Sequence, residues 1–229
     1  MPTKDEVSAR IEALLNSVAN SRAALAAGPD AVAGREALRV WQAARLARTH
    51  ADFLENPRYA GTAMFFLSDI YGPKDLSRYE APARRLFPVM TRVLPVAGLE
   101  TVADAFELNA LSESLDGAMV SVLGGKVFNL TEADYASAYR AVDRRADRER
   151  QIELTGHLGH SLDRLTRIPF GGMTLSLMRL PAAAAGFSEL QSFLERGYRA
   201  ISQTKGADEF LEKIRSRETA LMETWFAVR

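Results

Sequence analysis

Helical periodicity in the middle of the sequence constrains the fold most. Between about Leu99 and Leu123, large apolar residues recur at spacings of three and four, which places them on one face of an α-helix. Similar patterns run through the rest of the chain, no segment alternates with period two, and no Asn-Gly or Asp-Gly turn joins two β-rich runs. We therefore predict an all-α protein, a single bundle of about eight to ten helices without a sheet.

Turn and cap signals divide the chain into the predicted helices. Thr131 with Asp134 three residues later resembles a capping box at a helix start, and Gly124-Gly125 is typical of a helix end. The predicted helices cover about 4–25, 34–54, 57–71, 77–94, 99–123, 132–153, 172–180, 188–204 and 207–228. We predict one all-helical domain over 1–229, in which 1–34 form a peripheral N-terminal helix and 35–229 the main bundle.

Composition excludes several kinds of function. The chain has 29 Lys plus Arg and 29 Asp plus Glu, so no overall field attracts nucleic acid and we expect no nucleic-acid partner. The absence of cysteine excludes disulfides, thiolate nucleophiles and Cys-ligated metals. No apolar leader follows the charged start of the sequence, so we expect a cytoplasmic protein.

The segment between Arg167 and Glu189 is the least charged part of the chain. Arg179 is its only charged residue in 21 positions. Prolines and glycines break it into a helix of about ten residues and an Ala-rich connection, whereas a membrane span needs roughly 20. We therefore expect no membrane partner and predict a buried central helix here.

The apolar segment 65–75 contains an acid and a phenol near a predicted helix end. Gly72-Pro73 stops the helix directly after Tyr71, so Asp69 and Tyr71 would lie where loops and ligands meet. An acid among large hydrophobic residues needs a partner. We predict these two residues as polar anchors of a ligand site. The side chains available to line a cavity beside them are those of Phe170, Met173 and Met178.

Polar residues on the long central helix form a second candidate site. Asn109, Ser112, Glu113 and Asp116 recur at spacings of three and four beside the apolar stripe. Glu113 and Asp116 could bind a ligand or act as an acid and base pair. An ordinary amphipathic helix with this face turned to water gives the same pattern. Burial opposite Asp69 or an arginine would favour the site.

The run 143–153 is highly charged, with charges on eight of its eleven residues. The arginines in and beside it are Arg140, Arg144, Arg145, Arg148 and Arg150. They could bind an anion, but acids at helical spacing among them cancel their charge. We therefore predict that this run forms a solvent-exposed face.

The three histidines are the candidate metal ligands. His157 and His160 share a predicted helical face with Glu153, as in a two-histidine, one-carboxylate site. Glu153 and His160 lie about 10.5 Å apart along the axis, too far to bind one ion together. We expect no metal and no cofactor. The alternative is an iron- or haem-dependent oxidase that uses His50, or His157 with His160, and acids from a facing helix.

Five stretches together resemble an uncharacterised bacterial family of all-helical proteins. They are FFLSDIYGPKD at 65–75, VADAFELNALSESLD at 102–116, RERQIEL at 148–154, LDRL at 162–165 and GADEFLEKIRSRE at 206–218. The resemblance implies a helical fold over roughly 35–220, and because the family has no established activity it implies no reaction. Tyr79-Glu80 departs from the Arg-Asp pair that the family pattern places after this loop. Chain length and helix count also resemble the haem-oxygenase-like class, a likeness of fold alone.

These observations favour a non-catalytic protein that holds a partner chain or an apolar small molecule between its helices. No motif identifies a catalytic residue, so the sequence leaves open whether the protein is an enzyme. The last helix carries Leu221, Met222, Trp225 and Phe226 near its end, more apolar surface than one core-facing stripe buries. We therefore predict a homodimer with Trp225 or Phe226 in its interface, the alternative being a helix docked wholly into its own core.

Overall fold

The computed structural model describes residues 2–25, 29–70 and 80–227. Within these ranges every regular element is a helix and no strand occurs, which confirms the all-α prediction. The first half contains α1 (Lys4–Leu25), α2 (Pro29–Thr49), α3 (Ala51–Glu55), α4 (Ala60–Phe65) with a following π-helical turn (Phe66–Ile70), α5 (Glu80–Val93), α6 (Val96–Leu123) and a 3₁₀ turn (Gly124–Asn129). The second half contains α7 (Glu132–Val142), α8 (Arg145–Thr166), α9 (Gly171–Leu177), α10 (Arg179–Ala184), α11 (Ser188–Gln203) and α12 (Asp208–Ala227).

The long helix α6 is the centre of the bundle. Its 28 residues span about 42 Å, and it packs against α1, α2, α7 and α8. Near its start, Leu99 and Ala103 are buried against Val7, Ile11 and Leu15 of α1. Near its end, a second cluster contains Leu38, Met119, Tyr135, Met222 and Trp225. Between these two clusters, α6 also buries the polar side chains of Glu113 and Asp116.

The boundary between α7 and α8 corrects one sequence prediction. Thr131 caps α7 as predicted, because its Oγ1 accepts a hydrogen bond from the backbone nitrogen of Asp134 at 3.1 Å. The helix does not continue through residue 153. It ends at Val142, since Asp143 adopts a left-handed conformation with φ of 48°, and α8 begins separately at Arg145. Aspartate tolerates this conformation better than most residues, so no glycine marks the break.

The weakly charged segment 168–188 is not a buried central helix. It forms the short helices α9 and α10, which lie against the outside of α11 and bury none of their own residues. Phe170 is 75% exposed, and Met173 and Met178 are exposed as well, so the prediction that they line a cavity is wrong. The prolines and glycines limit each helix to one or two turns, too short to pass through the core. Among the described helices, none is both long enough and apolar enough to cross a bilayer.

The end of α12 docks into the core of its own chain. Trp225 is buried and packs edge-on against Tyr135 at 5.0 Å between ring centroids. Its burial corrects the prediction that it lies in a subunit interface. Phe226 is partly buried against Tyr139, with centroids 5.2 Å apart, and is the residue of the pair that keeps some exposed surface.

Candidate functional site

A cavity of about 410 Å³ lies beside the middle of α6. Helices α2, α6, α8 and α12 supply most of its wall, and α3, α4, α7, α11 and the π-helical turn supply the rest. Its size is within the usual range of small-molecule pockets. Much of the wall is apolar, including Phe66, Phe106, Leu108, Phe210, Leu211 and Ile214. The remainder is polar and charged.

The polar and apolar residues are separated along the length of the cavity. Arg144 contacts Ser114 and Arg150 contacts Glu107, so α6 and α8 run antiparallel. The lining residues change from Asp116 to Phe106 along α6, from Arg148 to Leu158 along α8 and from Glu218 to Phe210 along α12. Ten residues of α8 correspond to about 15 Å. The cavity therefore has a charged end and an apolar end.

Glu113 and Asp116 lie at the charged end, opposite arginines of α2. Both are buried, 3% and 6% exposed. Arg39 Nη2 donates a hydrogen bond to Glu113 Oε1, and Arg39 Nε lies 3.7 Å from Asp116 Oδ2. Gln42 Nε2 donates a hydrogen bond to Asp116 Oδ1 at 3.1 Å. The interpretation of this face as exposed to water is therefore wrong, and burial opposite an arginine is the arrangement expected of a site.

Burial raises the pKa of Asp116 above its ordinary range. The hydrogen bond from Gln42 and the charges of Arg39 and Arg148 oppose this effect without cancelling it. A raised pKa means that the surroundings of Asp116 favour its protonated form more than water does.

Glu218 of α12 is held by two partners, Arg45 and His50. Both of its oxygens accept hydrogen bonds from Arg45 Nη1, at 2.7 and 2.6 Å, and Oε1 also lies 3.0 Å from His50 Nε2. Burial disfavours the ionised form, but His50 and Arg45 outweigh it and hold the pKa of Glu218 below its ordinary range. This carboxylate is therefore ionised and fully engaged at neutral pH.

Arg148 is a charged residue of the wall that the sequence pattern assigned to an exposed face, whereas Arg39, Arg45 and Glu218 of the wall were not named from the sequence. Arg148 is only 6% exposed, and its guanidinium lies over the ring of Tyr139, 4.4 Å from the centroid. Nη1 donates to Gln151 Oε1 at 3.3 Å, whereas Nη2 is buried and bonds to no described residue. No described carboxylate forms an ion pair with it. The prediction that the whole run 143–153 faces solvent is wrong at this residue.

A signal for the burial of Arg148 is present in the sequence. Arg148, Ile152, Thr155 and Gly159 recur at spacings of three and four, and three of the four are buried. The alternating signs of charge in this run favour an exposed face, but a tally of charges does not show which side of the helix each residue occupies.

Two glycines of α8 have different surroundings. Gly156 lines the cavity, and a Cβ added there meets no atom within 4 Å, so the missing side chain leaves space. At Gly159 an added Cβ would lie 2.3 Å from Leu211 Cδ2, so this glycine lets α8 approach α12 closely.

The other predicted anchors lie elsewhere or outside the described part of the chain. Asp69 is buried in the π-helical turn, where Arg196 Nη2 donates to it at 2.7 Å and Ser68 Oγ at 2.9 Å. It is not among the described residues that line the cavity. Tyr71 lies outside the described residues. The structure thus brings Glu113 and Asp116 together in the cavity wall and places Asp69 in a link to α11.

The three histidines do not share a site. His157 and His160 lie on α8 with exposed side chains, near Glu153 at 3.9 Å and Asp208 at 3.3 Å respectively. His50 is buried against Glu218. In the described ranges, no three His, Asp or Glu side chains are grouped so that they could hold one metal ion.

Comparison with known proteins identifies the family of this sequence. No curated protein and no solved structure shows significant similarity to it. One family, described as a domain of unknown function (DUF8198), matches residues 22–229. This match extends from within α1 to the end of the sequence and includes every helix that lines the cavity. The chain therefore belongs to the DUF8198 family.

Proposed function

We propose that the protein is a non-catalytic binding protein that holds an apolar small molecule in the central cavity. The observation that carries this proposal is the cavity itself, about 410 Å³ between the helices with mostly hydrophobic side chains around it. Concave, largely apolar pockets with a few convergent polar groups are the usual form of small-molecule sites.

The polar end of the cavity supports binding in one orientation. Glu113 and Glu218 each form hydrogen bonds with other side chains of the protein, which fix their positions in the cavity wall. The apolar end then accepts the body of the ligand and the charged end accepts a polar group. Burial of apolar ligand surface supplies most of the affinity, and the polar contacts fix orientation.

The neutral fluorescent probe N-phenyl-1-naphthylamine tests the proposal, because its emission rises in apolar surroundings. We expect about one probe molecule to bind per chain, with a rise in fluorescence. Gly156→Leu places a side chain in the open space beside Gly156 and is expected to weaken probe binding at least tenfold, about 1.4 kcal/mol.

The matched control is Gly125→Leu, which adds the same side chain in open space at an exposed position away from the cavity. It should bind the probe as the unaltered chain does. Circular dichroism confirms that both variants are folded. An unaltered chain that binds no probe, or equal binding by Gly156→Leu, would overturn the proposal.

We also propose that the protein self-associates as a homodimer. The exposed apolar side chains of α9 and α10 support this, because several large apolar side chains exposed within one short segment are typical of an interaction site.

A further inference from the structure

We propose that the ligand of the central cavity carries one carboxylate group and that Arg148 binds this carboxylate. This inference rests on the proposed binding function and deepens it by naming the chemical class of the ligand. The class is a monocarboxylic acid with an apolar body, oriented with its acid group at the charged end of the cavity.

The first argument is the unsatisfied hydrogen-bonding capacity of Arg148. Its side chain is buried in the cavity wall, and its Nη2 has no acceptor among the described residues. A buried cationic donor without an acceptor is unfavourable. The planar guanidinium matches a carboxylate geometrically, so a ligand carboxylate would supply the missing acceptor of Nη2 through a charge-assisted hydrogen bond.

The second argument is the distribution of charge in the wall. Arg39 is paired with Glu113, and Arg45 is paired with Glu218. Asp116 lies against Arg39 and Gln42. Arg148 is the arginine of this end that forms no ion pair with a carboxylate among the described residues, and its Nη2 is unbonded there. One monovalent anionic group would pair with it, whereas a phosphate dianion would bring a second negative charge close to Glu113 and Asp116.

The third argument is the position of Arg148 along the cavity. Arg148 lies on α8 at the charged end of the cavity, and Leu158 lies about 15 Å further along the same helix at the apolar end of the cavity. Gln151, one turn from Arg148, is held by a hydrogen bond from its Nε2 to Ser112 Oγ at 2.8 Å. A carboxylate at Arg148 therefore points its hydrocarbon body along α8, past Ile152 and Gly156, into the apolar end.

Paired ligands of equal length test the inference. Dodecanoate and dodecan-1-ol share one hydrocarbon chain and differ in the carboxylate, and each is measured by displacement of N-phenyl-1-naphthylamine at about pH 8, where the acid is ionised. We expect the unaltered protein to bind dodecanoate at least tenfold more tightly than the alcohol. Octanoate and hexadecanoate with their alcohols show whether the preference holds at other chain lengths.

Arg148→Met removes the charge at similar side-chain volume. We expect it to bind dodecanoate and the alcohol equally, with the probe affinity of each variant measured first so that the displacement constants can be compared. The matched control is Arg145→Met on the exposed side of the same helix, which should keep the preference for the acid. Arg148→Lys keeps the charge without the planar fork and is expected to retain part of the preference. It also keeps the test usable if Arg148→Met does not fold.

The outcomes separate this inference from the proposed function. If the unaltered protein binds the probe and both ligands displace it equally, the carboxylate inference is overturned and the binding function stands. An unchanged acid preference in Arg148→Met would also overturn the inference. If the probe and both ligands fail to bind, the proposed function itself fails.

Discussion

At the scale of single residues, Arg148 differs from Arg39 and Arg45 because it forms no ion pair with a carboxylate among the described residues, although the charge of Asp116 acts on it without direct contact. Without a bound ligand, burial of this charge lowers the stability of the fold, since it removes water from the guanidinium without supplying an acceptor for Nη2. The unbonded Nη2 suits Arg148 to binding a ligand, and for the same reason we expect that folding does not require Arg148.

Arg148→Met is accordingly expected to leave the free energy of unfolding of the ligand-free protein unchanged or to raise it by about 1–2 kcal/mol. Arg45→Met is the contrasting variant, because it removes a partner of the buried Glu218 and should cost about 3 kcal/mol. Urea unfolding of both variants measures the difference. Equal destabilisation by the two substitutions would contradict this account of Arg148.

Asp116 and Glu218 should give pH dependences of opposite sign. The pKa of Asp116 is raised by folding, so its contribution to stability is present at low pH and is lost as pH rises through the folded pKa. The pKa of Glu218 is lowered, so its contribution is present above its ordinary pKa and is lost as pH falls.

We therefore expect Asp116→Asn to become more stable relative to the unaltered protein as pH rises above about 4. Glu218→Gln should become less stable relative to the unaltered protein as pH rises through the range below the ordinary pKa of 4.5. Unfolding midpoints of the three proteins measured at about pH 3, 5 and 7 provide the test. If the two variants shift in the same direction with pH, at least one of the two pKa directions is wrong.

At the scale of elements, the glycines of α8 give a prediction about helix packing. Gly159→Ala is expected to lower the free energy of unfolding by about 1–3 kcal/mol, because the added methyl group overlaps the buried side chain of Leu211 on α12. Gly156→Ala, three residues earlier, should be neutral or stabilising, since the methyl group enters open space and alanine favours the helix. Thermal unfolding of the pair distinguishes them, and similar losses in both would contradict the close contact between α8 and α12.

The elements also show which signals in the sequence are reliable. The apolar spacing predicts α1 and α6 closely, and the Thr131 cap predicts the start of α7, because these signals act within one helix. The break at Asp143 could not be predicted in this way, since it has no glycine or proline. The exposure of α9 and α10 was also missed, because low charge indicates an apolar segment without showing whether anything covers it.

At the scale of the whole molecule, the all-α fold follows from periodicity along the chain, but the cavity does not. Its wall comes mainly from four helices far apart in sequence, and its charged end exists because Arg39 of α2 pairs with Glu113 of α6 and Arg45 of α2 pairs with Glu218 of α12. Sequence spacing places Glu113 and Asp116 on one helix face without showing what lies opposite. Tertiary packing decides which residues pair with these two acids. The acids themselves could therefore be named from the sequence, but their partners, which determine the chemistry of the site, could not.

Self-association is the prediction that belongs to this scale. Trp225 is buried in its own chain, whereas Leu177 and Leu180 of α9 and α10 are 72% and 83% exposed. We expect light scattering at micromolar concentration to give the mass of a dimer, and Leu177→Ser with Leu180→Ser to give a folded monomer, because the polar side chains remove apolar surface from an interface. Trp225→Ala should instead lower the free energy of unfolding by about 3–5 kcal/mol, since it opens a cavity in the core. An unaltered chain that is monomeric would contradict self-association, and a dimer that survives the double serine variant would exclude α9 and α10 as its interface.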